Sequence, residues 1–219
     1  NGATAHLGKT GDRLTITAYT GADVFDLTQI EDEGFPLRVD WDWGNDALGI
    51  RWSRARRGGG SLDLRANVSS FDTGLLFPDF DDTDFSSRIQ QAQLRADLDT
   101  RPSPRWGVQV GSSVERMEYA NSFQTGGTSF GSGAGRGWLL GNYAQARYSL
   151  PRRWLVEVGV RADGFFQDPG GNVFEPSPRL AVKRFLREGE LALKFAAGRY
   201  TQFIHSLRDE ELPLGLDVW

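Results

Sequence analysis

Along Arg153–Phe166, "RWLVEVGVRADGFF", apolar and polar residues take turns. Trp154, Val156, Val158, Val160 and Ala162 fall on one parity; Glu157, Gly159, Arg161 and Asp163 fall on the other, with Leu155 the exception. Successive residues of a strand point to opposite faces, so this spacing predicts a strand with one apolar and one polar face. The same period recurs. Leu14, Ile16 and Ala18 carry it, then Leu48, Ile50 and Trp52, then Leu62, Leu64, Ala66 and Val68. It continues through Ala92–Leu98, Trp106–Val114, Leu140–Tyr148, Leu180–Val182 and Leu191–Phe195. The pattern predicts about nine strands and no helix.

The connections between these strands fall into two classes that alternate. Short ones lie at Arg56–Gly60, Thr100–Pro104, Pro151–Arg153 and Arg187–Gly189. Long ones run from Gly21 to Asp46, Asp72 to Ser87, Ala120 to Gly137, Gln167 to Ser177, and from Phe203 onward. Leu37–Trp43 is the ambiguous stretch: it reads as loop or as an extra strand hairpinned through "GNDA". In an up-and-down barrel every second connection lies at the same end, and membrane barrels pair short periplasmic turns with long external loops. The expected strands run about 10 to 14 residues, whereas about 9–11 tilted residues cross a bilayer's hydrocarbon. Aromatic residues flank them: Trp52, Trp106, Tyr148, Trp154 and Phe185 near the short turns, and Phe71, Tyr119, Trp138, Phe165 and Tyr200 near the long loops. Amphipathic rings collect at the two membrane surfaces in this way. The expected fold is therefore all-β: a portion of an antiparallel up-and-down transmembrane β-barrel.

Composition narrows this only in places. The chain has 219 residues, a net charge of -4 and no cysteine. That excludes a disulfide framework and thiolate metal sites, and offers no basic footprint for nucleic acid. No apolar run is long enough for a membrane helix, but alternating barrel strands average to a polar hydropathy and escape that test. No signal-type segment precedes Asn1, which leads to the expectation of a single domain, residues 1–219, truncated at both ends.

Three segments resemble the TonB-dependent receptors of the Gram-negative outer membrane. "WGNDALGIRWSR" (Trp43–Arg54) resembles the approach to a mid-barrel strand, "FEPSPRLAVKRFL" (Phe174–Leu186) their Pro-Arg strand, and "LKFAAGRYTQF" (Leu193–Phe203) the strand that follows. The "LGL" at Leu214–Leu216 resembles the loop leading to the next strand. The resemblance implies a barrel of about 22 strands with a plugged lumen. It also implies location in the outer membrane among lipid and lipopolysaccharide, a TonB-type energy-coupling partner, and uptake of a small, scarce nutrient. Neither a plug domain nor a coupling box is found in this stretch. Trp219 is expected not to end a closing strand, because Asp217 and Gly215 share its parity.

Candidate chemistry is sparse. His205 sits beside Ser206, a pairing that suggests a hydrolase, but adjacent strand residues point apart and no third group orients them. His6 precedes the first expected strand. No catalytic residue, cofactor or specific metal site is expected. "FPDFDDTDF" (Phe77–Phe85) gathers Asp79, Asp81, Asp82 and Asp84 among phenylalanines. This suggests a ligand-gripping external loop, with weak calcium ligation as the alternative because the spacing lacks an EF-hand's glycine and final glutamate. "GGTSFGSGAGRG" (Gly126–Gly137) reads as a mobile loop. Arg51, Arg95, Glu157, Arg161 and Lys194 fall on the polar parity and are expected to contact ligand or plug, or to satisfy one another across strands.

The expected function is thus part of a nutrient receptor rather than an enzyme. A passive porin-like channel, an outer-membrane enzyme and a soluble β-sheet binding protein stay open as alternatives. The transported ligand is not legible.

Overall fold

The computed structural model describes the chain outside residues 1, 8–10, 28–37, 169, 188–190, 202, 204, 209–214 and 219. Every described element is a strand or a connection between strands, and no helix occurs among the described residues. The strands are β1 (Gly2–Leu7), β2 (Asp12–Asp26), β3 (Asp40–Ala55), β4 (Gly60–Phe77), β5 (Thr83–Ser103) and β6 (Trp106–Thr125). They continue with β7 (Thr128–Leu150), β8 (Trp154–Asp168), β9 (Asn172–Arg187), β10 (Leu191–Gly198), β11 (His205–Arg208) and β12 (Gly215–Val218). The first ten form one sheet in chain order, each antiparallel to the next, with β1 and β10 at its edges. β11 and β12 pair separately as a small hairpin.

The up-and-down antiparallel order follows the expectation; the strand count and the loops differ from it. β1 is the additional strand of the large sheet and contains His6, pairing Ala3 with Ala18 and Ala5 with Ile16; β11 and β12 are additional outside it. Alanine and threonine alternate there, a contrast too weak to stand out by hydrophobicity. His205 and Ser206 lie in β11, not in a loop.

Most of the stretches expected as long loops are strand. Phe77 and Thr83 are register partners, so Asp72–Ser87 reduces to a tip at 78–82. Likewise β8 and β9 are joined through 169–171. The glycine-rich segment expected to be mobile is a tight hairpin at Gly126–Gly127 followed by the first half of β7. Both glycines have positive φ, 57° and 72°, the conformation that a two-residue hairpin turn demands and that glycine adopts without a Cβ penalty. Asp40–Trp43 begins β3, which passes unbroken through "GNDA", so no extra hairpin forms there; Leu37 lies outside the described residues. Within the ten-stranded sheet the β2–β3 connection is the long one, closed at its base where Leu27 N–H donates to the Val39 carbonyl at 2.7 Å.

Register assigns the two faces. Ile16, Ile50, Ala66, Leu94, Val114 and Leu140 are successive partners across six strands. The adjacent row on the opposite face reads Thr15, Arg51, Arg65, Arg95, Ser113, Gly141, Asp163 and Glu175. The apolar face has a sharp far limit. There Thr20, Asp46, Ser70, Gln90, Glu118, Arg136 and Asp168 are successive partners, a polar row across the sheet.

Burial is inverted relative to a water-soluble sheet. Val158 and Val160 are each 48% exposed and Leu94 60%, while Asp63 and Asp163 on the opposite face are 6% and 5% exposed. Water-soluble monomers rarely leave an apolar face of this breadth uncovered.

At the short-turn end the aromatic expectation holds for Trp52, Trp106, Tyr148 and Trp154, which lie on the apolar face. Trp106 and Tyr148 pack with ring centroids 4.5 Å apart. Phe185 is on the polar face, with the Lys183 ammonium 4.1 Å from its ring centre. At the far end only Trp138 faces the apolar side as expected, joined by its register partner Phe166. Phe71, Tyr119 and Phe165 have the other parity, and Tyr200 lies beyond β10.

Candidate functional site on the polar face

The polar face is a floor of ion pairs built by same-strand neighbours. Residues i and i+2 of a strand share a face, so Arg-x-Asp or Asp-x-Arg places a guanidinium beside a carboxylate. Three strands use this device: Asp63 and Arg65 on β4, Arg95 and Asp97 on β5, Arg161 and Asp163 on β8. Arg65 Nε donates to Asp63 Oδ1 at 2.6 Å, and Arg51 Nε donates to Asp63 Oδ2 at 2.6 Å from the neighbouring strand. One buried carboxylate therefore bridges two arginines that are direct cross-strand partners and would otherwise repel.

Asp97 accepts from Arg95 Nε at 2.7 Å, Arg95 Nη2 at 3.0 Å and the Tyr143 hydroxyl at 2.8 Å. Gly111 lies between Asp97 and Tyr143 in the register. A Cβ there would stand 2.3 Å from the Tyr143 ring and 2.6 Å from Asp97 Oδ1, so the missing side chain is what admits the tyrosine. Gly141 plays the same part beside β8, where a Cβ would meet Arg161 Nη2, Asp163 Oδ1 and Ser113 Oγ within 2.9 Å. Toward the short turns, Arg147 Nε donates to Glu157 at 2.8 Å and Gln109 to Asp99 at 2.8 Å.

Carboxylates lie beneath and guanidiniums on top. The Asp63 and Asp163 side chains are 8% and 7% exposed, against 54% for Arg51 and 32% for Arg161. The floor is thus neutralised within itself while offering N–H donors outward.

Every expected polar-parity residue lies on this face: Arg51, Arg95, Glu157 and Arg161 within the paired network, and Lys194 on β10 opposite Lys183. The structure adds Asp63, Arg65, Asp97, Tyr143 and Asp163. The repeated triplet "RAD" at Arg95–Asp97 and Arg161–Asp163 is the signal that would have found Asp97 and Asp163.

The four aspartates of Phe77–Phe85 do not converge. Asp79 is taken by Arg38, whose Nε and Nη2 donate to Oδ1 at 2.7 and 2.5 Å and whose backbone N–H donates to Oδ2 at 3.0 Å. These hydrogen bonds hold the Asp79 carboxyl below the usual aspartate range and raise the Arg38 guanidinium. Asp81 and Asp82 form the tip in left-handed conformations, φ 55° and 48°, and the Asp81 carbonyl accepts from Gly126 N–H at 2.6 Å. Asp84 has the opposite parity, pairing with Leu76 and Gln124. Among the described residues no three acidic or histidine side chains are placed to hold a metal ion.

Beyond the ion floor, toward the far end, the polar face carries an apolar cluster absent from the sequence expectations. Met117 and Phe165 are buried, and Phe203, past the end of β10, stacks on Phe165 with centroids 5.9 Å apart. Arg199 anchors this segment by donating from its backbone to the Pro178 carbonyl at 3.0 Å and pairing with Glu175. Gly137 makes room, since a Cβ would approach the Phe165 ring to 3.1 Å.

Compared with known proteins, the chain matches no family model and no curated relative.

Proposed function

We propose that this sheet is the β-barrel portion of a TonB-dependent receptor in a Gram-negative outer membrane, serving energy-coupled uptake of a scarce nutrient. The observation that carries the membrane part is the inverted burial: valines and leucines exposed over one face, aspartates buried on the other. Hydrocarbon is the solvent that favours such a surface, and antiparallel strands closed into a barrel satisfy their backbone groups within it. The polar row from Thr20 to Asp168 marks where strands leave the hydrocarbon, and their continuation carries the hairpin tips into water. The edges at β1 and β10 require further strands to close.

The receptor part rests on the resemblance of Trp43–Arg54, Phe174–Leu186 and Leu193–Phe203, which occupy parts of β3, β9 and β10 with the segment just after β10. In that reading the ion floor faces a plug, and its outward guanidinium donors meet plug or ligand oxygens. The floor's chemistry supports binding: Arg51, Arg65, Arg95, Arg147 and Arg161 are each paired with a carboxylate and present guanidinium donors.

Planar-bilayer recordings on the full-length protein test this against a passive channel. A plugged receptor remains closed, with uptake in cells abolished by dissipating the inner-membrane proton gradient. A steady open conductance, with uptake indifferent to that gradient, would replace the receptor by a channel. Extraction of the protein from membranes by urea alone would remove both.

A further inference from the structure

The two ends of the sheet differ in charge, and the short-turn end is cationic. Arg56 and Arg57 sit in the β3–β4 turn, Arg101 and Arg105 at the β5–β6 turn, and Arg152 in the β7–β8 turn; all five are exposed. None of these five side chains has an ion-pair partner among the described residues, unlike the arginines of the polar floor. The far tips instead carry Asp79, Asp81 and Asp82.

Arg152 and Arg153 also hold left-handed backbone angles, φ 62° and 66°, where glycine or asparagine would fit with less strain. Keeping arginine at such positions costs stability, and a charge requirement explains that cost. The tryptophans of the same end lie beside these turns: Trp106 follows Arg105, and Trp154 follows Arg153 with the Arg184 guanidinium 5.1 Å from its ring centre.

We infer that the short-turn rim binds the headgroups of an anionic phospholipid leaflet, an inference that rests on the membrane assignment above. The geometry favours a leaflet over an isolated phosphate. The guanidiniums are spread over successive turns along one edge of the apolar face, and an array of headgroups presents phosphates along such a line. Guanidinium recognises phosphate oxygens through paired N–H donors, and the neighbouring indoles lie at the depth where rings contact the headgroup boundary.

Tryptophan quenching by brominated lipid tests the inference on the protein in neutral-detergent micelles. Brominated phosphatidylglycerol should quench at about fivefold lower mole fraction than brominated phosphatidylcholine, and added salt should erase the difference. Substituting Arg56→Ser, Arg57→Ser, Arg105→Ser and Arg152→Ser together should abolish the preference while quenching by phosphatidylcholine persists. The corresponding four Arg→Lys changes should retain it, which separates charge from misfolding. Equal quenching by the two lipids, or a preference surviving the serine variant, overturns the rim and leaves the membrane assignment standing. Competition by millimolar inorganic phosphate also overturns it, in favour of a site for the free ion. Quenching by neither lipid overturns the membrane assignment and the rim together.

Discussion

Val158 and Asp63 show at the level of single side chains what the sheet is built for. Val158 stands half-exposed in the middle of the apolar face. In a bilayer, Val158→Arg should cost about 2–4 kcal/mol of folding free energy. Gln145→Arg, close by on the polar face of the adjoining strand, is the matched control and should cost well under half as much. Gly159, the direct neighbour, is a poor control, because any Cβ there comes within 3.2 Å of the Ala144 carbonyl. Equal losses for Val158 and Gln145 in urea unfolding from liposomes would mean that the apolar face does not meet lipid. Asp63 presents the opposite case. Asp63→Asn removes the charge that separates Arg51 from Arg65, and should cost about 1–3 kcal/mol, less than a fully buried pair because both arginines reach solvent. Asp82→Asn at the exposed tip should change stability by less than about 0.5 kcal/mol in the same measurement.

The legibility of the chain was set at the scale of elements by the strength of the alternation. From Leu62 to Val68, leucine, alanine and valine against charged or amide residues leave no ambiguity. Beyond the apolar face the contrast vanishes, because both faces of a strand projecting into water are polar; Ser86 and Ser87 are one example, Ser132 and Gly133 another. Those stretches therefore read as loops although their backbone ladders continue, and the face of Phe71, Tyr119 and Phe165 was lost with them. The ion floor was half legible: its arginines stood out by parity, while the aspartates that pair with them needed the i, i+2 rule. Hydrogen exchange separates ladder from loop. The amides of Ser129–Arg136 and Glu118–Phe123 should be protected like those of a hairpin, whereas a mobile glycine loop would exchange within the dead time. The Arg38–Asp79 contact, which ties the β2–β3 connection to the next tip, has its own signature. Because the Asp79 pKa is lowered in the folded protein, the stabilisation is complete at neutral pH. It is lost only as pH falls through that lowered value, beneath the ordinary aspartate range. The Arg38 Nε–H resonance should stay in its hydrogen-bonded position down to about pH 4; a shift near pH 6 would contradict the pairing.

For the molecule as a whole the deciding property is sidedness, since the ion floor, the arginine rim and the extended hairpins acquire meaning only once each end is assigned to a compartment. Consecutive strands are antiparallel throughout, so the turns at Arg56–Gly59 and Pro151–Arg153 lie at one end and the tips at 78–82, 126–127 and 169–171 at the other. The absence of cysteine permits single cysteines at Gly59, Arg152, Asp82, Ser132 and Gly170 without background from this chain. Ser132 belongs with the tips although it is within β7, because it pairs with Ser122 beyond the polar row that limits the apolar face. With an impermeant thiol reagent on intact cells expressing the full-length protein, cysteines at Asp82, Ser132 and Gly170 should react. Those at Gly59 and Arg152 should react only after the outer membrane is opened. On the outer-membrane reading proposed above, each strand would cross once and carry its longer polar extension to the outside, as membrane barrels with short periplasmic turns do. Reaction of Gly59 and Arg152 alone would invert the molecule and place the arginine rim at the cell surface, against lipopolysaccharide phosphates instead of the inner leaflet. Reaction of some tips but not others would break the meander, because no antiparallel sheet in chain order can put alternate hairpins on both sides.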